Sequence, residues 1–415
     1  MEEVTIQKLV HGGQGLAQLA DGRKVFVWNA LPGETVRVRV IKKKRSYAEA
    51  IAEEVVQASP EREQPREENY LATSPWQMMT FAAENKYKAE IVHELFTHEK
   101  VEVPAFDGMV TSGDEWYYRN KMEYSFWGDD DGLHLALHRR GSHGKQIVAG
   151  SELAMPALDA GARAVLAELN KLQPRAGDLK TIIVRCSQKG TVVAALYTKL
   201  DSFTKISLPE AVQGLRVYHS NPKSPASVPT KLLYELGDAT LQDTLLDKPF
   251  TYDVDSFFQV NLPVYEKALG RIREQCSADP TDMYAGVGSI GLSVAKQGTR
   301  LVELDPATAA MARHNAAASG LEVEVIEAST EKATQYITCD GPVIFDPPRA
   351  GLHAKVIEAC LAIQPPQIIY LSCNPATQAR DLALLQDDYH VEFFEVYNFF
   401  PRTPHIETLA VLRRR

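Results

Sequence analysis

Cysteine is scarce in this sequence. The five cysteines are scattered over 415 residues, and no two of them form a CxxC pair; they are Cys186, Cys276, Cys339, Cys360 and Cys373. A disulfide framework needs an even set of cysteines and a zinc ribbon needs closely spaced ones, so the pattern argues against both. We therefore expect a protein of a reducing compartment, the cytoplasm.

Long apolar runs and an excess of positive charge are also missing. No run approaches the ~20 apolar residues that span a bilayer, and residues 1–8 lack the pattern of a signal peptide. We expect no membrane partner. The net charge of −9 by itself favours an acidic enzyme with a small substrate. It does not exclude a nucleic-acid partner, because such binding depends on local basic patches.

The sequence pattern changes along the chain in a way that indicates a multidomain α/β protein. Residues 1–59 alternate apolar and polar side chains between turn signals, which predicts a small β-barrel. Residues 60–250 predict a central α+β domain, with a helix near residues 80–98 and a hairpin around Gly190. Strands and helices alternate in residues 251–415, which predicts a parallel, doubly wound, Rossmann-like domain.

The predicted barrel carries a short basic stretch. Arg37 and Arg39 alternate with valines and so point to the solvent face of their strand, and residues 42–45 follow as Lys-Lys-Lys-Arg. Two interpretations stay open, a grip on a nucleic-acid backbone and a solvated turn between strands. The charged, proline-bearing residues 60–68 are expected to form a linker.

A glycine motif opens the predicted Rossmann-like domain. Residues 282–291 read Asp-Met-Tyr-Ala-Gly-Val-Gly-Ser-Ile-Gly, so Gly286 and Gly288 begin a G-x-G-x-x-G match between a strand and a helix. Glycines there let a ligand approach the backbone at the carboxyl edge of the sheet. Glu303 ends the next strand, where a carboxylate can accept hydrogen bonds from ribose hydroxyls. Together they predict a nucleotide-type ligand without separating NAD from S-adenosylmethionine.

Two motifs place further polar or reactive side chains at the same edge. Asp346 is followed by Pro347 and Pro348, which force the chain out of the sheet. Such an element is typical of methyltransferases that act on planar bases; the alternative is a rigid turn capped by the aspartate. Cys373 lies just past the buried strand of residues 368–371. A thiolate there can add to carbon 6 of uracil, whereas the alternative is an inert core cysteine.

The last motif, residues 400–408, reads Phe-Pro-Arg-Thr-Pro-His-Ile-Glu-Thr. Glu407 lies just before the final apolar strand, so it faces the ligand edge and can act as a general base near a thiol. Alternation points His405 away from the neighbours of Glu407, and we interpret His405 as structural.

Taken together, these motifs resemble the RNA uracil-5-methyltransferase family, over essentially the whole chain. The resemblance includes Ser-Phe-Phe-Gln-Val-Asn at residues 256–261 and the four motifs above, in order. It implies a C-terminal class I methyltransferase domain in residues 251–415, an N-terminal OB-like TRAM barrel in residues 1–59 that binds RNA, and S-adenosylmethionine as cofactor.

The resemblance also assigns roles to residues. It implies that Cys373 is the nucleophile, that Glu407 is the proton acceptor and that Phe257 stacks on the flipped uracil. Arg119 matches a motif that the middle domain contributes to the active-site region. The residues that match positions holding S-adenosylmethionine are Gln259, Tyr284, Glu303 and Asp346.

The chain departs from the family pattern at one conspicuous place. Many relatives bind a [4Fe-4S] cluster through cysteines, three of which precede a segment like residues 76–81. Here residues 70–75 read Tyr-Leu-Ala-Thr-Ser-Pro, without a cysteine. Since a cluster needs thiolate ligands, we expect no iron–sulfur cluster and no metal site. Changes at Ala285, Ser289 and Ala328 weaken the assignment of individual adenosine contacts.

The sequence therefore predicts an S-adenosylmethionine-dependent enzyme that forms 5-methyluridine in RNA, in 23S rRNA rather than tRNA, as a cytoplasmic monomer. Two alternatives remain open. One is a methyltransferase for an exocyclic amine of adenine or guanine, which needs no cysteine. The other is a non-catalytic RNA-binding or chaperone protein that keeps the barrel. A dehydrogenase is a more distant third, because only the glycine motif supports it.

Overall fold

The computed structural model describes residues 1–224, 226–295 and 298–415. The N-terminal sheet has six strands in the order β1-β5-β6-β4-β3-β2 around one apolar core. Val36 and Val38 point into this core while Arg37 and Arg39 are exposed, as alternation predicted. The strands are β1 Glu2–Thr5, β2 Lys8–Leu9, β3 Gly15–Gln18, β4 Lys24–Trp28, β5 Thr35–Lys43 and β6 Tyr47–Gln57.

Three basic residues of this sheet have acidic partners on a neighbouring strand. Arg37 Nη1 lies 2.7 Å from Glu54 Oε2, and Lys42 Nζ lies 3.0 Å from Glu49 Oε1. Arg39 pairs with Glu53 in the same way. Three of the six basic residues of the stretch are thus paired, which weakens the case for a phosphate grip by Arg37, Arg39 and Lys42.

Residues 60–68 are held in place by a buried charge. Glu34 is completely buried, and Arg62 from this segment donates to it, with Nη2 2.7 Å from Glu34 Oε2. The Arg62 guanidinium also donates to the Asn29 carbonyl at 3.1 Å. The segment predicted as a linker is therefore anchored to the N-terminal sheet.

The middle of the chain forms a seven-stranded sheet in the order β13-β12-β11-β10-β7-β8-β9, with the separate hairpin β14-β15. The predicted hairpin exists, and Gly190 in its turn has a φ of 85°. The elements are α1 Tyr70–Thr73, α2 Phe81–His98, β7 Lys121–Asp129, β8 Gly132–His138, β9 Lys145–Ile147, α3 Pro156–Leu172, β10 Leu179–Cys186, β11 Val192–Thr198, β12 Gly214–His219, β13 Lys231–Gly237, β14 Thr240–Leu245 and β15 Lys248–Asp253.

Helix α2 begins where the sequence predicted, with the Thr80 hydroxyl accepting from the backbone N–H of Ala83 at 3.2 Å. Its apolar side packs against the C-terminal part of the chain, where Phe96 and Phe394 meet edge to face at 4.8 Å. Helix α2 belongs to the predicted central domain by its place in the chain, but it packs against the C-terminal part. The predicted domain boundaries at residues 59 and 250 remain a prediction.

The C-terminal sheet has seven strands in the order β18-β17-β16-β19-β20-β22-β21. The first five in that order run parallel, and β22 runs antiparallel to both of its neighbours. This confirms the doubly wound prediction. The elements are α4 Leu262–Gln275, β16 Thr281–Asp282, α5 Ser289–Val294, β17 Arg300–Glu303, α6 Pro306–Ala318, β18 Glu324–Glu327, β19 Val343–Phe345, α7 Ala354–Ile363, β20 Gln367–Ser372, α8 Pro375–Leu385, β21 Tyr389–Tyr397 and β22 Glu407–Arg414.

Two features are absent from the described residues. No helix there is long and apolar enough to cross a membrane. No group of three or more His, Cys, Asp and Glu side chains in those residues is arranged to hold a metal ion.

Candidate active site

The direction of β22 brings Cys373 and Glu407 to the same edge of the sheet. Ser372, the last residue of β20, pairs with Thr408 in the antiparallel register. Cys373 follows Ser372 and Glu407 precedes Thr408, so both residues come directly after the last pair of this ladder. Cys373 is half-buried, whereas Glu407 is only 2% exposed.

This environment disfavours negative charge on both groups. Burial raises the pKa of Glu407 well above its ordinary value, and Asp346 adds to the effect. Burial, followed by Glu407 and Asp346, raises the pKa of the Cys373 thiol to about 12. Arg349 opposes both shifts. Among the described residues, Glu407 Oε2 has no hydrogen-bond partner, which leaves a buried acceptor facing the site.

Asp346 adds a second carboxyl group at this edge. It directly follows Phe345, the last and fully buried residue of β19, where the two prolines end the strand. Burial and the nearby Asp282 raise the pKa of Asp346 to about 7. A carboxyl group with such a pKa can donate or accept a hydrogen bond near neutral pH.

The glycine motif combines tight packing with open space. Gly288 has a φ of 87°, and a Cβ at Gly291 would lie 2.3 Å from Leu301 Cδ2, so neither position tolerates a side chain. At Gly286 the φ is 56° and a Cβ would meet nothing within 4 Å. A ligand can therefore reach the backbone at Gly286.

Glu303 is fixed at the end of β17 by two backbone donors. The N–H of Gly286 donates to Oε2 at 2.9 Å, and the N–H of Asp305 donates to Oε1 at 2.8 Å. Each carboxylate oxygen keeps a further lone pair for a ligand hydroxyl. Glu303 and Tyr284 line one cleft of about 820 Å³, together with the exposed Leu304.

These features fit S-adenosylmethionine. The cleft has the size of a cofactor site, Gly286 leaves room against the backbone, and Glu303 offers oriented acceptors at the topological switch of the sheet. Of the six predicted cofactor residues, only Tyr284 and Glu303 line this cleft. Those outside its lining are Gln259, Gly286, Gly288 and Asp346.

A contact from the middle sheet holds the segment of residues 256–261. The Asn120 side chain donates to the carbonyl of Gln259 at 2.9 Å, and the Asn120 N–H donates to the carbonyl of Val260 at 3.1 Å. Phe257 on this segment is 66% exposed, while Phe258 is buried and stacks on a neighbouring ring. An aromatic ring left this exposed is available to stack on a flat partner.

Arg119 precedes Asn120 and has a fixed backbone. Its N–H donates to the Leu153 carbonyl at 2.8 Å, and its carbonyl accepts from the Met155 N–H at 3.0 Å. Its positive charge is among those that lower the pKa of His405. Arg119 therefore lies within electrostatic reach of the loop that leads to Glu407.

The interpretation of His405 is corrected by the structure. His405 Nδ1 lies 3.4 Å from Arg349 Nη2, beside the site rather than turned away from it. The alternation argument failed because β22 begins only at Glu407, so His405 belongs to a loop without strand periodicity. Arg349, which directly follows Pro348, was not predicted as a site residue.

A buried network that the sequence did not reveal holds this loop. Lys88 Nζ on α2 donates to Glu84 Oε1 at 2.8 Å, to Asn398 Oδ1 at 2.6 Å and to the Phe400 carbonyl at 3.1 Å. Glu84 Oε2 in turn accepts from the backbone N–H of Arg402 at 2.9 Å. Both Lys88 and Glu84 are completely buried. Helix α2 thus positions the approach to Glu407.

Three features define a class I S-adenosylmethionine-dependent methyltransferase: the strand order, the antiparallel strand β22 and the cleft at the switch point. Residues 81–415 match the family model of tRNA (Uracil-5-)-methyltransferase, and residues 1–52 match the TRAM domain. The chain therefore belongs to the tRNA (Uracil-5-)-methyltransferase family, and it is an S-adenosylmethionine-dependent RNA uracil-5-methyltransferase.

Individual relatives agree with this membership. The chain is 30% identical to an uncharacterized RNA methyltransferase of Lactiplantibacillus plantarum, over 99% of this chain and 97% of that protein. It is 26% identical to one of Thermotoga maritima, over 99% of each. Its fold is similar to the crystal structure of the Pyrococcus abyssi tRNA (uracil-54, C5)-methyltransferase with S-adenosyl-L-homocysteine. That match has a TM-score of 0.77 and 22% identity, and it covers 99% of this chain and 100% of that one.

Proposed function

We propose that this enzyme methylates carbon 5 of a uridine through a covalent adduct, with Cys373 as nucleophile and Glu407 as base. The observation that carries the proposal is the antiparallel register that sets Cys373 beside Glu407 at the ligand edge. A methyltransferase for exocyclic amines needs neither group. A buried carboxyl beside a thiol suits the two-step chemistry at a uracil ring.

The first step is the addition of Cys373 to the base. The thiol gives up its proton to solvent, and the thiolate sulfur bonds to carbon 6 of uracil. The electron pair of the 5,6 double bond moves into an enolate, which makes carbon 5 nucleophilic. Arg349 favours the thiolate, since its positive charge opposes the rise in the pKa of Cys373 that burial causes.

Glu407 completes the reaction. After carbon 5 has been methylated, it carries a proton and a methyl group. Glu407 gives up its own proton to solvent, and the resulting carboxylate removes the proton from carbon 5. The electron pair re-forms the double bond and expels the Cys373 thiolate. The raised pKa of Glu407 suits this role, because a carboxylate of high pKa is a stronger base.

When bound, S-adenosylmethionine supplies an electrophilic methyl group. We assign Tyr284, Gly286, Gly288 and Glu303 to its site from the cleft and the glycine loop. Gln259 and Asp346 are assigned from the sequence resemblance, since they lie outside the lining of that cleft.

The uridine must leave its stack to reach the buried pair. We propose that the exposed ring of Phe257 stacks on the extruded base and that Arg119 contacts the RNA nearby. Loop uridines are easier to extrude than paired ones, so the target lies in a loop. Our proposed substrate is 23S rRNA rather than tRNA.

Mass spectrometry of nucleosides tests the substrate and product together. Purified enzyme and labelled S-adenosylmethionine are incubated with undermethylated 23S rRNA and, separately, with tRNA. We expect label in 5-methyluridine from the rRNA. Label in 5-methyluridine from tRNA alone would overturn the rRNA assignment, and label in a methylated adenine or guanine would overturn the function. The Cys373→Ala variant is expected to give no label.

A further inference from the structure

Three side chains from separate parts of the chain meet above the reactive pair, and we call them the entrance cluster: His11, Arg349 and His405. Arg349 Nη2 lies 3.4 Å from His405 Nδ1. His11, from the N-terminal sheet, is hydrogen-bonded to the Asn374 side chain. The same Asn374 donates from Nδ2 to the Arg349 carbonyl at 2.8 Å. The cluster therefore borders the residue that follows Cys373.

The loop that carries His11 is docked firmly on this edge. Trp76 Nε1 donates to the carbonyl of Gly13 at 3.0 Å. Gly13 lies so close to Pro404 that a Cβ on it would be 2.4 Å from Pro404 Cβ, and its φ of 96° also favours glycine. The N-terminal sheet therefore contributes a side chain to the entrance and does not merely lie next to it.

The charge at the entrance is unbalanced. Within the described parts of the chain, no carboxylate lies within ion-pair distance of the Arg349 guanidinium, although acidic residues outnumber basic ones in the sequence. Burial, followed by Arg349, lowers the pKa of both histidines, that of His405 to about 3. They are therefore neutral at pH 7 and offer ring N–H or N groups beside the exposed Arg349 guanidinium.

Exposure separates the entrance from the reaction centre. Arg349 is exposed, whereas Glu407 is almost completely buried and Cys373 half-buried. When a uridine is extruded into a pocket, its base enters and its phosphates stay at the rim. An arginine without a carboxylate partner, flanked by neutral hydrogen-bonding groups, is suited to a phosphodiester.

We propose that Arg349 and His11 bind the phosphodiester adjacent to the target uridine, so that the N-terminal sheet takes part in positioning the base. This proposal rests on the proposed function, because it takes the extruded uridine as the group that enters. It differs from a grip by the basic strand β5, whose arginines are paired with glutamates.

A charge-specific binding experiment tests the proposal. The probe is a fluorescent RNA hairpin with one loop uridine, and a second version carries a neutral methylphosphonate in place of the phosphate beside that uridine. Binding of the full chain is measured over a range of salt concentrations for wild type, Arg349→Gln and His11→Ala. The control is Arg414→Gln, since Arg414 is exposed at the opposite end of β22. Binding of S-adenosylmethionine checks that each variant is folded.

We expect Arg349→Gln to weaken hairpin binding about tenfold and to reduce the slope of log K against log salt by about 0.7. His11→Ala weakens binding without changing the slope, since His11 is neutral. The methylphosphonate weakens wild type but causes no further loss in Arg349→Gln, because both changes remove one contact. Arg414→Gln leaves affinity and slope unchanged.

An unchanged salt slope in folded Arg349→Gln, or additive losses from the variant and the methylphosphonate, would overturn the proposal. These outcomes are independent of the proposed function, because binding needs no turnover. Conversely, absence of 5-methyluridine together with the expected binding pattern would contradict the function and leave the phosphate contact standing.

Discussion

Replacing Lys88 by methionine removes the ammonium group that ties helix α2 to the loop before Glu407. Lys88 is completely buried, and its three hydrogen bonds reach Glu84, Asn398 and the Phe400 carbonyl. Methionine has a similar length and fills the space without a charge. The substitution thus leaves Glu84 as a buried carboxylate without its cation, while two donors remain, the side chain of Asn398 and the backbone N–H of Arg402.

Breaking a buried ion pair by removing one partner costs about 3–5 kcal/mol. The remaining donors to Glu84 place the expected loss of unfolding free energy near the lower end, about 3 kcal/mol. The double variant Lys88→Met/Glu84→Gln should lose less than Lys88→Met, because it leaves no buried charge. The loop that leads to Glu407 loses an anchor in both variants, so proton removal from carbon 5 should slow more than adduct formation.

Urea unfolding of the full chain measures the stability, and single-turnover quenching measures adduct formation and release separately. The matched control is Lys86→Met, on the same helix with a half-exposed side chain, which should change unfolding free energy by less than about 1 kcal/mol. A Lys88→Met protein as stable as wild type would refute the buried network. Normal adduct release in Lys88→Met would refute its connection to Glu407.

Three further predictions follow from the geometry and the shifted pKa values. Gly291→Ala forces a Cβ to 2.3 Å from Leu301, so calorimetry should show a loss of about 1–3 kcal/mol in unfolding free energy. The control Gly270→Ala in helix α4 places a Cβ that meets nothing within 4 Å, and it should gain about 0.5–1 kcal/mol. Equal effects of the two variants would contradict the packing around Gly291. Burial raises the pKa of Asp282 to about 7, so the folded protein holds a proton that the unfolded chain releases near pH 4. The unfolding free energy should therefore fall as pH rises from about 4 to 7. In urea titrations, Asp282→Asn should make that fall shallower. Burial raises the pKa of the Cys373 thiol to about 12 in the RNA-free protein. The thiolate fraction, and with it the rate of single-turnover adduct formation, should therefore rise about tenfold per pH unit between pH 6 and 9. A flat profile would show that the thiol is ionised at neutral pH.

The sequence was sufficient for the features that depend on neighbours along the chain. The alternation of strands and helices predicted the parallel sheet, and the strand ends before Asp346 and Cys373 placed both at one edge. The position of Glu407 followed as well, because a strand that closes the sheet begins with it. Local periodicity and strand ends carry this information.

Features that depend on distant segments could not be predicted. Lys88 and Asn398 are 310 positions apart, and no local pattern links them. The alternation with valines correctly predicted that Arg37 is exposed, but it did not reveal that Arg37 pairs with Glu54 on the neighbouring strand. His405 was misinterpreted because the periodicity of β22 was extended into a loop. Contacts between elements override the local pattern in each case.

Trapping of the covalent intermediate tests the central claim most directly. Glu407→Gln keeps the size of the side chain but removes the base, so an RNA–protein adduct should accumulate with S-adenosylmethionine and appear as a shifted band on a denaturing gel. Peptide mass spectrometry should place a methylated uridine on the Cys373 peptide, and Cys373→Ala/Glu407→Gln should show no band. Absence of the adduct in Glu407→Gln, or its attachment to any other cysteine, would contradict the pairing of Cys373 with Glu407 as nucleophile and base.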